Sequence, residues 1–182
     1  MKVWGALVLC AALAACGGRG APEDAFALLP GYRDRSVPIG SAALFDPARY
    51  LGTWHEVARF PVPFQAGCAQ SQADYGALGP EVISVLNTCT RADGTVSTIS
   101  GTAQVVGPGR LTVRFGSVPF VAADYWVLWV DESYRTAVVG TPNGRAGWIL
   151  NRDPAIPPDR LAAAIEVLDF NGYDTSRLVL AN

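Results

Sequence analysis

Apolar and polar residues alternate through most of residues 52–152, in short runs broken by Gly, Pro, Asn and Asp. The cleanest run is 110–115. Leu111, Val113 and Phe115 fall on one face, and Arg110, Thr112 and Arg114 on the other. Comparable runs at 52–60, 69–77, 82–91, 95–106, 124–130, 135–141 and 146–152 bring the count to eight short strands. Leu78-Gly79-Pro80, Ala92-Asp93-Gly94, Gly107-Pro108-Gly109 and Pro142-Asn143-Gly144 supply turns, the second with the Asp-Gly hairpin signal. After Pro157-Pro158-Asp159 the spacing becomes helical, with Leu161, Ile165 and Leu168 on one side. Asp159 near the start favours the helix dipole, and Asn171-Gly172 ends the run before a last short strand at 176–180. The pattern predicts an all-β fold: an eight-stranded up-and-down antiparallel barrel with one C-terminal α-helix and a short final strand. Closure removes sheet edges, and eight strands leave room for one small ligand.

The alternation also predicts which side chains face inward. On 124–130, Tyr125, Val127 and Trp129 share the parity of Asp131; on 146–152, Trp148 and Leu150 share that of Arg152. With Leu111, Val113 and Phe115 they make an apolar, aromatic-rich interior suited to a hydrophobic guest. The candidate ligand contacts are Trp148, Tyr125, Trp129, Phe115, Val113 and Leu150, with Trp148 foremost. Glu56 has the parity of Trp54 and serves as a polar anchor for a ligand head group or as a partner for an Arg. The alternative is that these side chains simply fill the barrel.

Composition narrows the classes of function. The 182 residues suffice for one domain with a core, and only 16% are charged, with a formal net charge of −2 and no basic run, so nucleic acid has no electrostatic footing. His55 is the only His, so a Zn site lacks ligands and no Ser-His-Asp set beyond it can be assembled. The reading is a non-enzyme with no catalytic residue, metal or cofactor.

The first residues read as a targeting segment: Lys2, then an apolar stretch at 3–12 too short to span a bilayer. Leu13-Ala14-Ala15-Cys16 resembles the lipobox of bacterial lipoproteins, which implies cleavage before Cys16 and its acylation. Gly17, where Asp would signal retention, implies the outer membrane. The expected organisation is a signal peptide at 1–15, a lipidated Cys16 and tether at 16–43, and a domain at 44–182. Cys10 leaves with the signal, so Cys68 and Cys89 remain as a pair in an oxidising compartment. A disulfide is expected, ahead of a Cys68/His55 pair. A two-residue turn at Leu78-Gly79 would set the two Cys opposite each other. The same register sets Tyr75 against Val82, although Ile83 and Val85 have the inward pattern, so a bulge is required.

These residues carry a family resemblance. Gly52-Thr53-Trp54 resembles the first lipocalin motif. Val130-Asp131-Glu132, with Tyr134 and Ala137, resembles the second, although Val130 replaces the usual Thr. Arg152, closing Trp148-Ile149-Leu150-Asn151-Arg152, resembles the third. The stretches 45–60 and 148–154 look like the bacterial lipoprotein and apolipoprotein D branch, with His55 where that branch usually has Tyr. The resemblance implies that Gly52, Trp54, Asp131 and Arg152 close one end of the barrel and do not bind ligand. It also implies reversible binding of a fatty acid or lysophospholipid for storage, transport or envelope maintenance, on the periplasmic side of the outer membrane. Partners are then a lipid and, through the anchor, the membrane, with a homodimer left open. The competing class is a structural or interaction lipoprotein with a filled barrel.

Overall fold

The computed structural model describes residues 31–117 and 121–181. The targeting segment, Cys16 and the first half of the expected tether lie outside them. Nine strands follow in order: β1 (Gly52–Arg59), β2 (Cys68–Gly79), β3 (Val82–Arg91), β4 (Val96–Gly107), β5 (Arg110–Phe115), β6 (Ala123–Val130), β7 (Thr136–Gly140), β8 (Gly147–Asn151) and β9 (Val179–Leu180). Helix α1 (Pro47–Tyr50) precedes β1, and α2 (Pro158–Phe170) follows β8. Strands β2 to β8 pair in sequence, β8 pairs with β1, and β1 pairs back onto β2. The sheet thus closes into the eight-stranded barrel that the alternation predicts.

Strand β1 closes the ring by serving different neighbours along its length. Gly52–His55 lie opposite Tyr75–Gln72 of β2, whereas His55 to Arg59 run beside β8. Where β1 leaves β2, β9 takes the vacated edge at Ala58 and Arg59. A bulge between Glu56 and Ala58 lets Val57 and Ala58 both turn outward.

The wall therefore has two buried faces. Inside lie Trp54, Tyr75, Ile83, Leu111, Val113 and Leu150, with others. Outside, α2 lies on β7 and β8 and buries Ala164 and Leu168 with Leu161 and Ile165 beside them, as its spacing predicts. This second face changes one inward assignment. A bulge between Val127 and Trp129 on β6 breaks the alternation. Tyr125 and Val127 face in, but Trp129 packs with Leu128 against the helix-side cluster. Trp129 is thus not a cavity residue: simple parity fails where an extra residue is inserted.

Two further expectations change. Residues 31–43, read as tether, are packed on the barrel. Tyr32 is buried and stacks on Phe60, which stacks on Tyr173, with ring centres 4.9 and 5.1 Å apart. Arg33 bridges to Tyr173, and the Ala42 amide donates to the Val127 carbonyl at 2.8 Å. These residues thus pack on the barrel and cover aromatic surface that it would otherwise expose. The register of β2 on β3 also differs. Tyr75 faces Val85, Ser71 faces Cys89 and Cys68 faces Arg91, with bulges between Cys68 and Gln70 and between Ala77 and Gly79. The turn falls at Pro80-Glu81, which brings Ile83 and Val85 inward. Cys68 and Cys89 still bond, diagonally, with Cα atoms 5.3 Å apart.

One end of the barrel is sealed. Trp54 is fully buried, and its Nε1 donates to the Tyr50 carbonyl at 2.8 Å. The Arg152 guanidinium lies 3.9 Å from its ring centre. That guanidinium also donates to four carbonyls: Thr53 at 2.8 Å, Leu51 at 2.8 Å, Arg49 at 3.0 Å and Tyr134 at 3.2 Å. Gly52 is required there, since its φ is +92° and a Cβ would stand 3.3 Å from the Arg152 Nη1. Asp46 caps α1 through the Ala48 amide at 2.9 Å. Asp131 accepts from the amides of Arg135 and Thr136 at 2.6 and 2.5 Å and from the Ser133 hydroxyl, which shapes the β6–β7 turn. Trp54→Ala removes the plug and leaves Arg152 facing a void. We expect a loss of about 3–5 kcal/mol in denaturant unfolding; a midpoint unchanged from wild type would contradict this placement of Trp54.

Candidate ligand cavity

The other end is open, and a cavity of about 470 Å³ runs down from it between the strands. Its lower wall is apolar: Ile83 and Val85 from β3, Ala103 from β4, Leu111 and Val113 from β5, and Leu150 from β8. Each of these strands alternates, so every second side chain meets the cavity and the others meet solvent or α2. Nearer the rim the lining turns polar, with Ser71, Asn87, Thr88, Ser97 and Thr98.

Of the residues that parity assigns to the interior, Trp148, Tyr125, Phe115, Val113, Leu150 and Glu56 all line this cavity, and Trp129 does not. Gly52, Trp54, Asp131 and Arg152 sit at the sealed end, away from it. His55 is absent from the lining; it lies opposite Gln72 and Asn151 in the strand register.

Sequence reasoning missed three lining residues of consequence. Gln65 sits in the Pro63–Gln65 turn of the loop after β1, which folds back over the rim. Its Nε2 donates to Glu56 at 2.6 Å, and its Oε1 accepts from Trp148 Nε1 at 2.9 Å. Pro61 and Pro63 signal a loop, but nothing in the pattern says where that loop lands. Tyr50 belongs to α1 and Tyr75 to β2. Their hydroxyls meet that of Tyr125 at 2.8 and 2.9 Å. The two-residue turn at Leu78-Gly79 sets Tyr75 against Val82, whereas the structure sets it against Val85, and Tyr50 belongs to no strand.

With Asp124, Glu56 is one of two acidic residues in the lining. Arg59 donates to it at 2.8 Å and also reaches the Cys68 carbonyl at 3.1 Å. Arg59, Glu56, Gln65 and Trp148 thus form one connected polar strip at the rim. Burial pushes the Glu56 carboxyl up, and the hydrogen bonds from Gln65 and Arg59 and the Arg59 charge offset this only in part. Burial acts alike on the phenols. Tyr75 is pushed up to about 12, and Tyr50 and Tyr125 rise well above the usual phenol range. All three therefore keep their protons at neutral pH.

The Glu56 shift has a sign that can be checked. The folded state holds this proton more tightly than the unfolded chain, so its contribution favours folding at low pH. That advantage is lost as pH rises from the ordinary value of 4.5 through the raised folded value. Glu56→Gln does not titrate. The melting temperature of wild type, measured against that of Glu56→Gln, should fall as pH rises above 4.5. A difference that stays flat or rises over this range would show that the carboxylate is better solvated than its position implies.

A family model described as a lipocalin-like domain matches residues 45–182. Apolipoprotein D of Bos taurus is 32% identical over 148 residues, covering 76% of this chain and 77% of that protein. Temperature-induced lipocalin-1 of Arabidopsis thaliana is 36% identical over 141 residues, covering 71% and 75%. Among solved structures, insecticyanin from Manduca sexta superposes with a TM-score of 0.66 at 21% identity, covering 84% of this chain and 87% of that one. This last likeness speaks to the fold. A barrel sealed by Trp54 and Arg152, a matching family model across most of its length and relatives above 30% identity agree: the chain belongs to the lipocalin family.

Proposed function

We propose that this protein reversibly holds one small amphipathic molecule, a fatty acid or lysophospholipid, and that an acylated Cys16 tethers it to the outer membrane on the periplasmic side. Lipocalins typically bind small hydrophobic ligands. The observation that carries the reading here is the apolar cavity of about 470 Å³ with a polar strip at one side of its mouth. That size falls within the range of about 300–1,000 Å³ usual for small-molecule sites. Burying about ten methylenes contributes roughly 8 kcal/mol, enough to offset the lower range of association costs. The acyl chain occupies the apolar wall, and the head group stays at the rim beside Trp148, Gln65 and Arg59. No covalent step is involved. The competing reading, a structural lipoprotein with a filled barrel, is disfavoured by the space between the strands.

The anchor rests on Leu13-Ala14-Ala15-Cys16 and on Gly17. Several acyl chains, at roughly 0.8 kcal/mol per buried CH₂, hold a protein to a bilayer where one does so only marginally.

Native mass spectrometry tests the binding. The purified protein should take one equivalent of lysophospholipid or fatty acid. Trp148→Arg should lose it, because the indole surface at the mouth is replaced by a guanidinium and the Gln65 contact is broken. A wild-type protein that shows no adduct with either lipid class would return the question to the structural reading. Fractionation tests the anchor. Cys16→Ser should move the protein from the outer-membrane fraction to the soluble periplasmic one, and unchanged fractionation would sink the lipoprotein assignment.

A further inference from the structure

The deep end of the cavity carries a specific imbalance of hydrogen-bonding groups. Tyr50, Tyr75 and Tyr125 all line the cavity, and their hydroxyls form a chain with Tyr125 at its centre, at 2.8 Å to Tyr50 and 2.9 Å to Tyr75. Each hydroxyl has one proton. Two hydrogen bonds join the three groups, so they use two protons whichever way the chain is directed. The third is always left over. It belongs to Tyr50 or Tyr75 if the chain runs one way, and to Tyr125 if that oxygen accepts from both neighbours. Among the described residues, no other hydrogen bond reaches these three hydroxyls. Burial keeps all three phenols protonated, so the donor persists at neutral pH.

From this proton count we infer that the floor of the cavity recognises a neutral hydrogen-bond acceptor, such as a ketone or ester carbonyl, at the buried end of the ligand. A guest that reaches the floor must supply that acceptor or leave a buried donor unpaired, so an acyl chain that stops short of the floor, or carries an oxygen there, is preferred over one that ends on it as plain hydrocarbon. An anion is disfavoured at the same place. The nearby Arg152 cation is engaged by four carbonyls below Trp54, and the charged groups that act on Tyr75 are the Glu56 and Asp74 carboxylates. The site thus has two polar stations, the strip at the rim and one donor at the floor, linked along one side by the Tyr125–Trp148 ring stack at 6.3 Å. The preferred guest is an apolar body oxygenated at its deep end. The inference rests on the cavity being a ligand site.

The test uses the purified protein and three probes: hexadecanoic acid, 2-undecanone, and 2-methyl-1-undecene, in which a CH₂ replaces the ketone oxygen. Any single Tyr→Phe change leaves at least one spare proton, so the informative variant is the triple Tyr50→Phe, Tyr75→Phe, Tyr125→Phe. It removes the whole chain without changing the ring shapes, and such a paired removal is nearly neutral for folding. The triple variant should bind the ketone about five- to tenfold more weakly, the net worth of one neutral hydrogen bond. Its affinity for the alkene should stay level or rise. The carbonyl stretch of bound ketone should lie below its position in hexane with wild type and return to that position with the triple variant. This second readout is insensitive to small changes in stability. Equal losses for ketone and alkene, or an unshifted carbonyl band in wild type, overturn the floor assignment while binding of hexadecanoic acid leaves the cavity reading intact. Failure of wild type to bind all three probes overturns both.

Discussion

A closed barrel has two ends, and its interior stays apolar only if water is kept out of one of them. Here that depends on Arg152 lying across Trp54. The indole supplies apolar bulk, and the guanidinium covers it. The guanidinium also collects carbonyls from α1, from the start of β1 and from the β6–β7 turn, which otherwise share no element. A Lys could neutralise the same region but could not reach four acceptors in one plane. The seal thus joins three separate segments as well as blocking water, and the cavity above it exists because those segments cannot spread.

Most of the architecture was legible because a barrel wall with one apolar face writes itself as simple alternation. All eight barrel strands and α2 appear where the periodicity of Leu111, Val113 and Phe115 and the spacing of Leu161, Ile165 and Leu168 place them. The pairing of Trp54 with Arg152 was legible through family resemblance, not through spacing, since 98 residues of register must be right before the two meet. What alternation could not show was where it is interrupted. The β6 bulge moves Trp129 to the outside, and the β2 bulges shift the partners of Tyr75 and Cys68. A bulge adds one residue without altering composition, so the sequence pattern on either side remains sound while the phase changes.

The same limit applies to the site. Trp148, Tyr125 and Glu56 lie on strands, and their inward direction followed from parity. Gln65 and Tyr50 come from a loop and a single-turn helix, where no period applies, yet they complete both polar stations. The packing of residues 31–43 is hard to read for a related reason. A Gly- and Pro-containing stretch without periodicity reads as a tether, but Tyr32 only needs one aromatic shelf, formed by Phe60 and Tyr173, to be held in place.

The pairing of β1 sets how firmness is distributed along the barrel. Its ladder with β2 stops at His55 and Gln72, so the first residues of β2 have a backbone neighbour in β3 alone. That free end is held by the Cys68–Cys89 bond and by Arg59 on the Cys68 carbonyl. Amide hydrogen exchange should therefore run in a gradient, slow around Trp54 and faster toward the rim. A barrel that is firm at the sealed end and looser at the open one lets its rim adjust while the floor stays shut, so the mouth can change shape without a loss of the fold.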